Sequence, residues 1–284
     1  FHDGTEIESK YVEDEGSVYF KATSFSPYDV VFDAATENIV LVKQNGKDDV
    51  KVSLADFRDE WNKGTYYDTF VSATLTANAD ISGSNWYPIG TWEFPFHGTL
   101  NGNKKTVSGL TARSTDKDHQ GLYSNGDTVG FGEVYGFIGI VGGGDVEVDS
   151  LTLRDVEINI YDGKNVGALI GYAPKKADFL DAKKGGAYWA STQTEGLKIL
   201  PSNYGTDNIT VKNITVENGS MDVSCHAGGI IGKIYSTGTT LISNCTNGLS
   251  ITTHSGGGLA GIAGFASSNT KVTIDNCTNT DSSK

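Results

Sequence analysis

Asp145, Glu147 and Asp149 alternate with Val146 and Val148. On an extended strand successive side chains point to opposite faces, so the three carboxylates share one face. Asp155 and Glu157 follow closely in sequence. Hard cations take oxygen ligands, and glycoside hydrolysis needs two carboxylates at a set separation. The row is therefore a candidate calcium site or acid pair. The plainer reading is a solvated outer face. On a flat strand Arg154 points away from its neighbour Asp155, which leaves the row without an obvious cationic partner.

A second set of residues suits binding rather than catalysis. Between Pro174 and Thr206, Phe179, Tyr188, Trp189 and Tyr204 stand beside Lys175, Lys176, Lys183 and Lys184. This is a local concentration of positive charge on an acidic chain. Aromatic rings beside cations fit an acidic sugar or an anionic protein patch, through stacking and charge. Tyr188, Trp189, Lys183 and Lys184 are the candidate ligand-binding residues. The plainer reading is that the rings pack a long loop onto its support.

Other chemistry finds no pattern. His2, His97, His119, His226 and His254 are scattered, with no HExxH and no close pair. His97 is expected to pack rather than ligate. Gly142-Gly143-Gly144 reads as a turn, because no helix follows to cradle a phosphate. The three Cys form no CxxC, and an odd count argues against a disulfide framework. No catalytic residue, cofactor or firm metal site is expected.

Composition narrows the classes further. The chain has 284 residues, 22 Lys+Arg and 35 Asp+Glu, a net charge of −13. A nucleic-acid partner needs a basic face, and an anionic membrane surface needs the same. The apolar stretches are too short to span a bilayer, so no membrane insertion is expected. The N-terminus, Phe1-His2-Asp3-Gly4, does not read as a signal peptide. With 36 Gly in no three-residue period, and 37% hydrophobic residues, the chain is neither collagen nor disordered.

The elements that must position these residues are repeats. Val107-Ser-Gly-Leu110, Val148-Asp-Ser-Leu151, Val211-Lys-Asn-Ile214, Ile242-Ser-Asn-Cys245 and Ile274-Asp-Asn-Cys277 share one pattern. Their last residues are separated by 41, 63, 31 and 32 positions, so the period is near 32 and the 63 holds an insertion. A second element recurs in phase: Gly136-Phe-Ile-Gly139, Ala168-Leu-Ile-Gly171, Gly229-Ile-Ile-Gly232 and Gly261-Ile-Ala-Gly264. A third short β-like piece lies between them, as in Val156–Ile160, Met221–Val223 and Leu249–Ile251.

Three short strands per 32 residues fit one coil of a parallel β-helix of about five coils. The fold class expected is thus all-β. Val107, Val148, Val211, Ile242 and Ile274 would form one inward ladder, and Leu110, Leu151, Ile214, Cys245 and Cys277 the next. Cys245 and Cys277 would stack reduced, because in-register side chains point the same way. Asn213, Asn244 and Asn276 would hydrogen-bond from coil to coil. Asn208, Asn213, Asn218, Asn244 and Asn276 head N-glycosylation sequons. Three of them occupy this ladder, where a glycan would break the stack, which points to a bacterial source.

Ser53 to Gly64 reads as a capping helix, 53–63. Ser53 is the N-cap, Asp56 the acidic residue three later, and Gly64 the stop. Leu54, Phe57 and Trp61 share a face that would cover the first coil's edge. Residues 1–50 lack the repeat. Val18–Phe20, Val30–Phe32 and Ile39–Val42 read as strands, with turns at Ser26-Pro27 and Asn45-Gly46. The expected division is a small β-element over 1–50, consistent with the remnant of an upstream domain, and a solenoid over 51–284 with its insertion at about 174–206.

Phe96-His-Gly-Thr-Leu-Asn-Gly-Asn-Lys-Lys-Thr-Val107 resembles the opening segment of Glug-motif β-helix proteins. Asp80–Gly90 resembles the segment before it, and the Asn-Cys-Thr-Asn runs at 244–247 and 276–279 are similar to the repeats. The likeness covers roughly residues 50 to 284. It implies a right-handed parallel β-helix on a secreted or outer-membrane surface protein of a bacterium, of the kind described as adhesins. It carries over no catalytic residue, and the long insertion departs from the pattern. Phe20–Tyr28 weakly resembles fimbrillin-type adhesin domains.

The function expected is a cell-surface or secreted binding module, an adhesin for a host or dietary glycan or an extracellular protein. The alternatives are a polysaccharide lyase or hydrolase on the same scaffold, and a passive stalk or spacer. A monomer or weak edge-paired dimer is expected, because the last strand would present an open edge.

Overall fold

The computed structural model describes residues 9–12, 17–20, 38–114, 134–160, 164–176, 205, 207–254 and 257–280. The chain forms two compact units, Phe1–Asp33 and Ala34–Lys284. In the first, the strands Ser9–Val12 and Ser17–Phe20 pair antiparallel, Ser9 opposite Phe20 and Val12 opposite Ser17. The strand expected at Val18–Phe20 is therefore present. The one expected at Val30–Phe32, like the Ser26-Pro27 turn, lies outside the described residues.

The second unit is almost entirely β and mostly parallel. Apolar residues alternate with polar ones along each strand, and the apolar set is buried. The strands Ile138–Ile160 and Ile209–Val223 run side by side, Val146 opposite Ile209 through Ile160 opposite Val223. Ile209–Val223 then pairs with Thr239–Ser243, Thr246–Asn247 and Ser250–Thr253. Thr239–Ser243 pairs in turn with Lys271–Asp275. Val148, Val211, Ile242 and Ile274 thus form one register column, as the repeat predicted. The second element also holds its phase: Ile138, Ile170, Ile231 and Ala263 are register partners.

The first repeat does not align as expected. Val107 lies opposite Leu153, and the partner of Val148 is Leu100. Leu151 pairs with Lys105 rather than with Leu110. The register shifts between Asp149 and Leu151 because Asn103 and Lys104 add residues at the turn, with φ of 50° and 58°. Leu110 moves on by a turn to precede Thr111, which pairs with Glu157, and it is buried there.

The turns explain the small polar residues of the repeat. Ser150, Asn213, Asn244 and Asn276 all have φ between 48° and 56°. This left-handed region disfavours residues with a Cβ, and Asn tolerates it better than most. Asn213 Nδ2 donates to Asp149 Oδ1 at 2.8 Å, Asn244 Nδ2 to Asn213 Oδ1 at 3.3 Å, and Asn276 Nδ2 to Asn244 Oδ1 at 2.7 Å. The expected Asn ladder is therefore formed. A second link starts from a buried residue: Asn247 donates to Oδ1 of the exposed Asn279 at 2.8 Å and accepts from the Leu249 amide at 3.2 Å. A Cβ at Gly229 would overlap the Asn247 side chain, so this close approach requires glycine.

The helix Leu54–Asn62 forms as predicted. The Asp56 amide donates to Ser53 Oγ at 3.0 Å, and Ser53 Oγ donates to the Asp56 carboxylate at 2.7 Å. Gly64 follows with φ of 81°. Leu54, Phe57 and Trp61 are buried. The Trp61 ring lies 4.7 Å from Phe70 and 4.8 Å from Phe96, against the strands Phe70–Leu75 and Phe96–Ser108. The boundary expected at residue 50 shifts, however. The strand Val40–Gln44 pairs antiparallel with Val50–Val52 across the Asn45-Gly46 turn and with Phe70–Leu75, so it belongs to the main sheet.

One apolar core runs from Ile39 to Leu249, and each large aliphatic side chain in it contributes about 1.5–3 kcal/mol by leaving water. The last layer is different. Ile274 is 50% exposed where its register partner Ile242 is fully buried.

Candidate functional site

The carboxylate row is placed as predicted but is taken up by the next repeat. Asp145 accepts from the Asn208 amide at 2.8 Å. Glu147 pairs with Lys212 at 2.7 Å, and Asp149 lies 3.6 Å from the same ammonium. Partial burial pushes the Asp149 carboxyl up, but hydrogen bonds from Asn213 and Ser150 and the Lys212 charge outweigh it, leaving the group below the usual range. Hydrogen bonding and charge from Glu147 raise Lys212. Arg154 likewise reaches the neighbouring repeat, pairing with Glu217 at 2.6 Å, and Arg113 pairs with Glu157. Among the described residues no group of three or more His, Cys, Asp or Glu could hold a metal ion.

Tyr188, Trp189, Lys183 and Lys184 lie outside the described residues, but both ends of their insertion are placed. The Tyr235 amide donates to Ala173 O at 2.7 Å, and the Thr237 amide to Gly205 O at 2.9 Å. Asp207 fastens the second end. It is 4% exposed, and its Oδ2 accepts from the Gly143 amide at 3.1 Å and the Gly205 amide at 3.2 Å. Burial pushes this carboxyl up and the two amides pull it down; the nearby Asp145 charge adds to the rise, and it ends at about 6. Gly142–Gly144 do not form the expected turn: they lie inside the strand Ile138–Ile160, at a register irregularity between Val141 and Val146, and Gly143 there anchors the insertion.

Beside these ends stands a stripe of rings and cations. Tyr172, Lys233 and Phe265 are register partners in the strands Ile170–Ala173, Ile231–Ile234 and Ala263–Ala266. Parallel pairing sets them about 4.8 Å apart per repeat. Trp92 meets Tyr172 at 5.9 Å, Tyr172 meets Tyr235 at 6.0 Å, and Tyr235 meets Phe265 at 5.7 Å, all near edge-to-face. Val134, Ile140 and Tyr172 form an apolar cluster apart from the core, with Trp92 and Tyr235 against it. The Lys233 ammonium lies 4.4 Å from the centre of the Tyr235 ring, 5.4 Å from Tyr172 and 5.8 Å from Phe265. Lys175, the first lysine of the insertion, lies 5.2 Å from Tyr235. A cation over ring faces gains about 0.5–2 kcal/mol per contact, more as water is excluded.

His226 closes the stripe, 4.7 Å from Phe265. Its Nδ1 accepts from the Gly258 amide at 2.9 Å, which places the proton on Nε2. Burial, then the Lys233 charge, lowers its pKa, so the ring is neutral near pH 7. His97 packs as expected, half-buried among Trp61, Tyr67 and Phe70, with Nε2 3.0 Å from Tyr67 O.

The stripe escaped the sequence reading, although a signal was there. Ile140, Tyr172, Lys233 and Phe265 each directly follow the closing glycine of the second repeat element, at Gly139, Gly171, Gly232 and Gly264. Neither family models, curated proteins nor solved structures compared with this chain match it.

Proposed function

We propose that the second unit is a right-handed parallel β-helix of the Glug type, acting as a bacterial cell-surface or secreted binding module. The continuous parallel register, with offsets of 63, 31 and 32 residues along Val148, Val211, Ile242 and Ile274, supports the coil reading. Right-handedness follows from the strong preference of parallel crossovers. The observation that carries the binding role is the stripe from Trp92 to Phe265. It gathers four aromatic rings and Lys233 on a chain of net charge −13, next to both ends of a long insertion. Long insertions on rigid scaffolds are disproportionately used for binding.

Binding is proposed rather than catalysis, because Glu147 and Asp149 are engaged by Lys212 and Asn213 and form no open acid pair. The ligand proposed is an extracellular glycan or protein, taken by a monomer or a weak edge-paired dimer. A glycan array combined with a pull-down on extracellular host proteins tests this. Specific ligands captured by the intact chain support the module, and a chain that captures nothing from either source is a spacer.

A further inference from the structure

We infer that the half-buried Trp92, Lys233, Tyr235 and Phe265, with the buried Tyr172 as the ring on which Trp92, Lys233 and Tyr235 pack and Lys175 at their flank, form a binding site for an acidic polysaccharide lying along the stack of repeats. The inference rests on the binding-module reading and names its ligand class.

Three features converge on this class. The first is geometry. Register fixes Tyr172, Lys233 and Phe265 in one column; Tyr172 is buried and holds Trp92 and Tyr235 at its edges, while Tyr235 meets Phe265, with ring-to-ring steps of 5.7–6.0 Å. The partly exposed rings Trp92, Tyr235 and Phe265, spaced along the repeats, suit a linear polymer of cyclic units, whose C–H faces pack on aromatic rings, better than a compact ligand.

The second is the cation. Three rings surround the Lys233 ammonium, and Lys175 approaches one of the same rings. The rings fix the position of Lys233 in a half-buried setting. There an ion pair with a carboxylate or sulfate is screened less than on open surface. His226 beside them is neutral and keeps a donor on Nε2.

The third is contrast. The rest of the chain repels polyanions through its excess of acidic residues, with net charge −13. An anionic polymer is therefore directed to the place where cations are gathered. A neutral glycan would gain the rings but nothing from Lys233 and Lys175.

The test is titration calorimetry of the full chain with oligogalacturonate, with the same oligomer fully methyl-esterified, and with heparin-derived oligosaccharide. The ester keeps the ring faces and removes the charge. At least one of the two acidic probes is expected to bind, with affinity falling at least about tenfold on raising the salt from low to high concentration. Lys233→Met keeps the apolar stem and should weaken that probe by about tenfold or more. Tyr235→Ala should do the same. Thermal melting checks that each variant folds, and Lys175→Met replaces Lys233→Met if the latter does not.

Equal binding of the acid and its ester, or binding unchanged by both lysine variants, overturns the acidic-polysaccharide assignment. If neither acidic probe binds while the array or pull-down yields another ligand, this inference falls and the binding module stands. If all three screens are empty, both fall.

Discussion

Asn276 donates from Nδ2 to the Oδ1 of Asn244 at 2.7 Å, and the two residues hold the same left-handed backbone, with φ of 48° and 53°. One residue type thus solves two problems at once. It accepts a strained turn and links adjacent repeats there.

Asn244→Val should therefore lose more than a hydrogen bond. The left-handed conformation costs a residue with a Cβ about 1–2 kcal/mol, most for a β-branched one, and the lost ladder bonds add about 1 kcal/mol. Asn244→Gly keeps the backbone and should cost less than Asn244→Val. Urea denaturation of the three proteins checks the order.

Thr240 offers the opposite case. It sits fully buried in the column between Ile209 and Val272, and its hydroxyl has no hydrogen-bond partner. Thr240→Val keeps the shape and removes an unsatisfied polar group, whose burial costs about 1–3 kcal/mol. The variant should be more stable by about 1 kcal/mol or more in the same assay.

Asp207 makes stability depend on pH. Its folded pKa of about 6 lies above the ordinary value of 3.8, so between these values the folded chain holds a proton that the unfolded chain has released. Its contribution is present in full below about pH 4 and is lost as pH rises through about 6. Asp207→Asn should flatten this part of the pH–stability curve. Denaturation midpoints of both proteins at pH 4, 5, 6 and 7 give the comparison, and parallel curves would show that Asp207 does not titrate as described.

All three cysteines are free. Burial pushes the Cys245 thiol up to about 12, with its neighbour Cys277 adding to the shift. A thiolate is the reactive form, so Cys245 should resist alkylation in the native chain and react once it is unfolded. Mass spectrometry after pulse alkylation should find Cys245 the slowest of the three, and three thiols in urea. Cys245→Val should cost less than about 1.5 kcal/mol, since a buried free Cys behaves as a small hydrophobe.

Much of this architecture was legible in the sequence because β-structure repeats on itself. The column of Val148, Val211, Ile242 and Ile274, the Asn ladder and the Ser53-capped helix all follow from spacing and local chemistry. The first repeat misled because Asn103 and Lys104 lengthen its turn, and a residue count cannot see a bulge. The strand expected at Ile39–Val42 reads in sequence as part of the N-terminal element, because its antiparallel pairing leaves no trace in a parallel repeat.

The candidate site was half legible. Asp145, Glu147 and Asp149 were correctly placed on one strand, but their partners Asn208, Lys212 and Asn213 lie 63 or more residues away. The stripe was hidden for a related reason. Its column changes chemistry at every step, from Tyr172 to Lys233 to Phe265, so it looks like variation until the register aligns it.

We propose that this chain binds an extracellular ligand through the stripe and leaves it intact. Titration of a ligand captured in the screens, against the natural chain, Tyr235→Ala and Glu147→Gln, tests it most directly, with the ligand recovered and sized afterwards. Tyr235→Ala should bind at least about tenfold more weakly, Glu147→Gln should bind as the natural chain does, and the ligand should keep its length. Cleavage of the ligand, or loss of binding with Glu147→Gln but not with Tyr235→Ala, would contradict it.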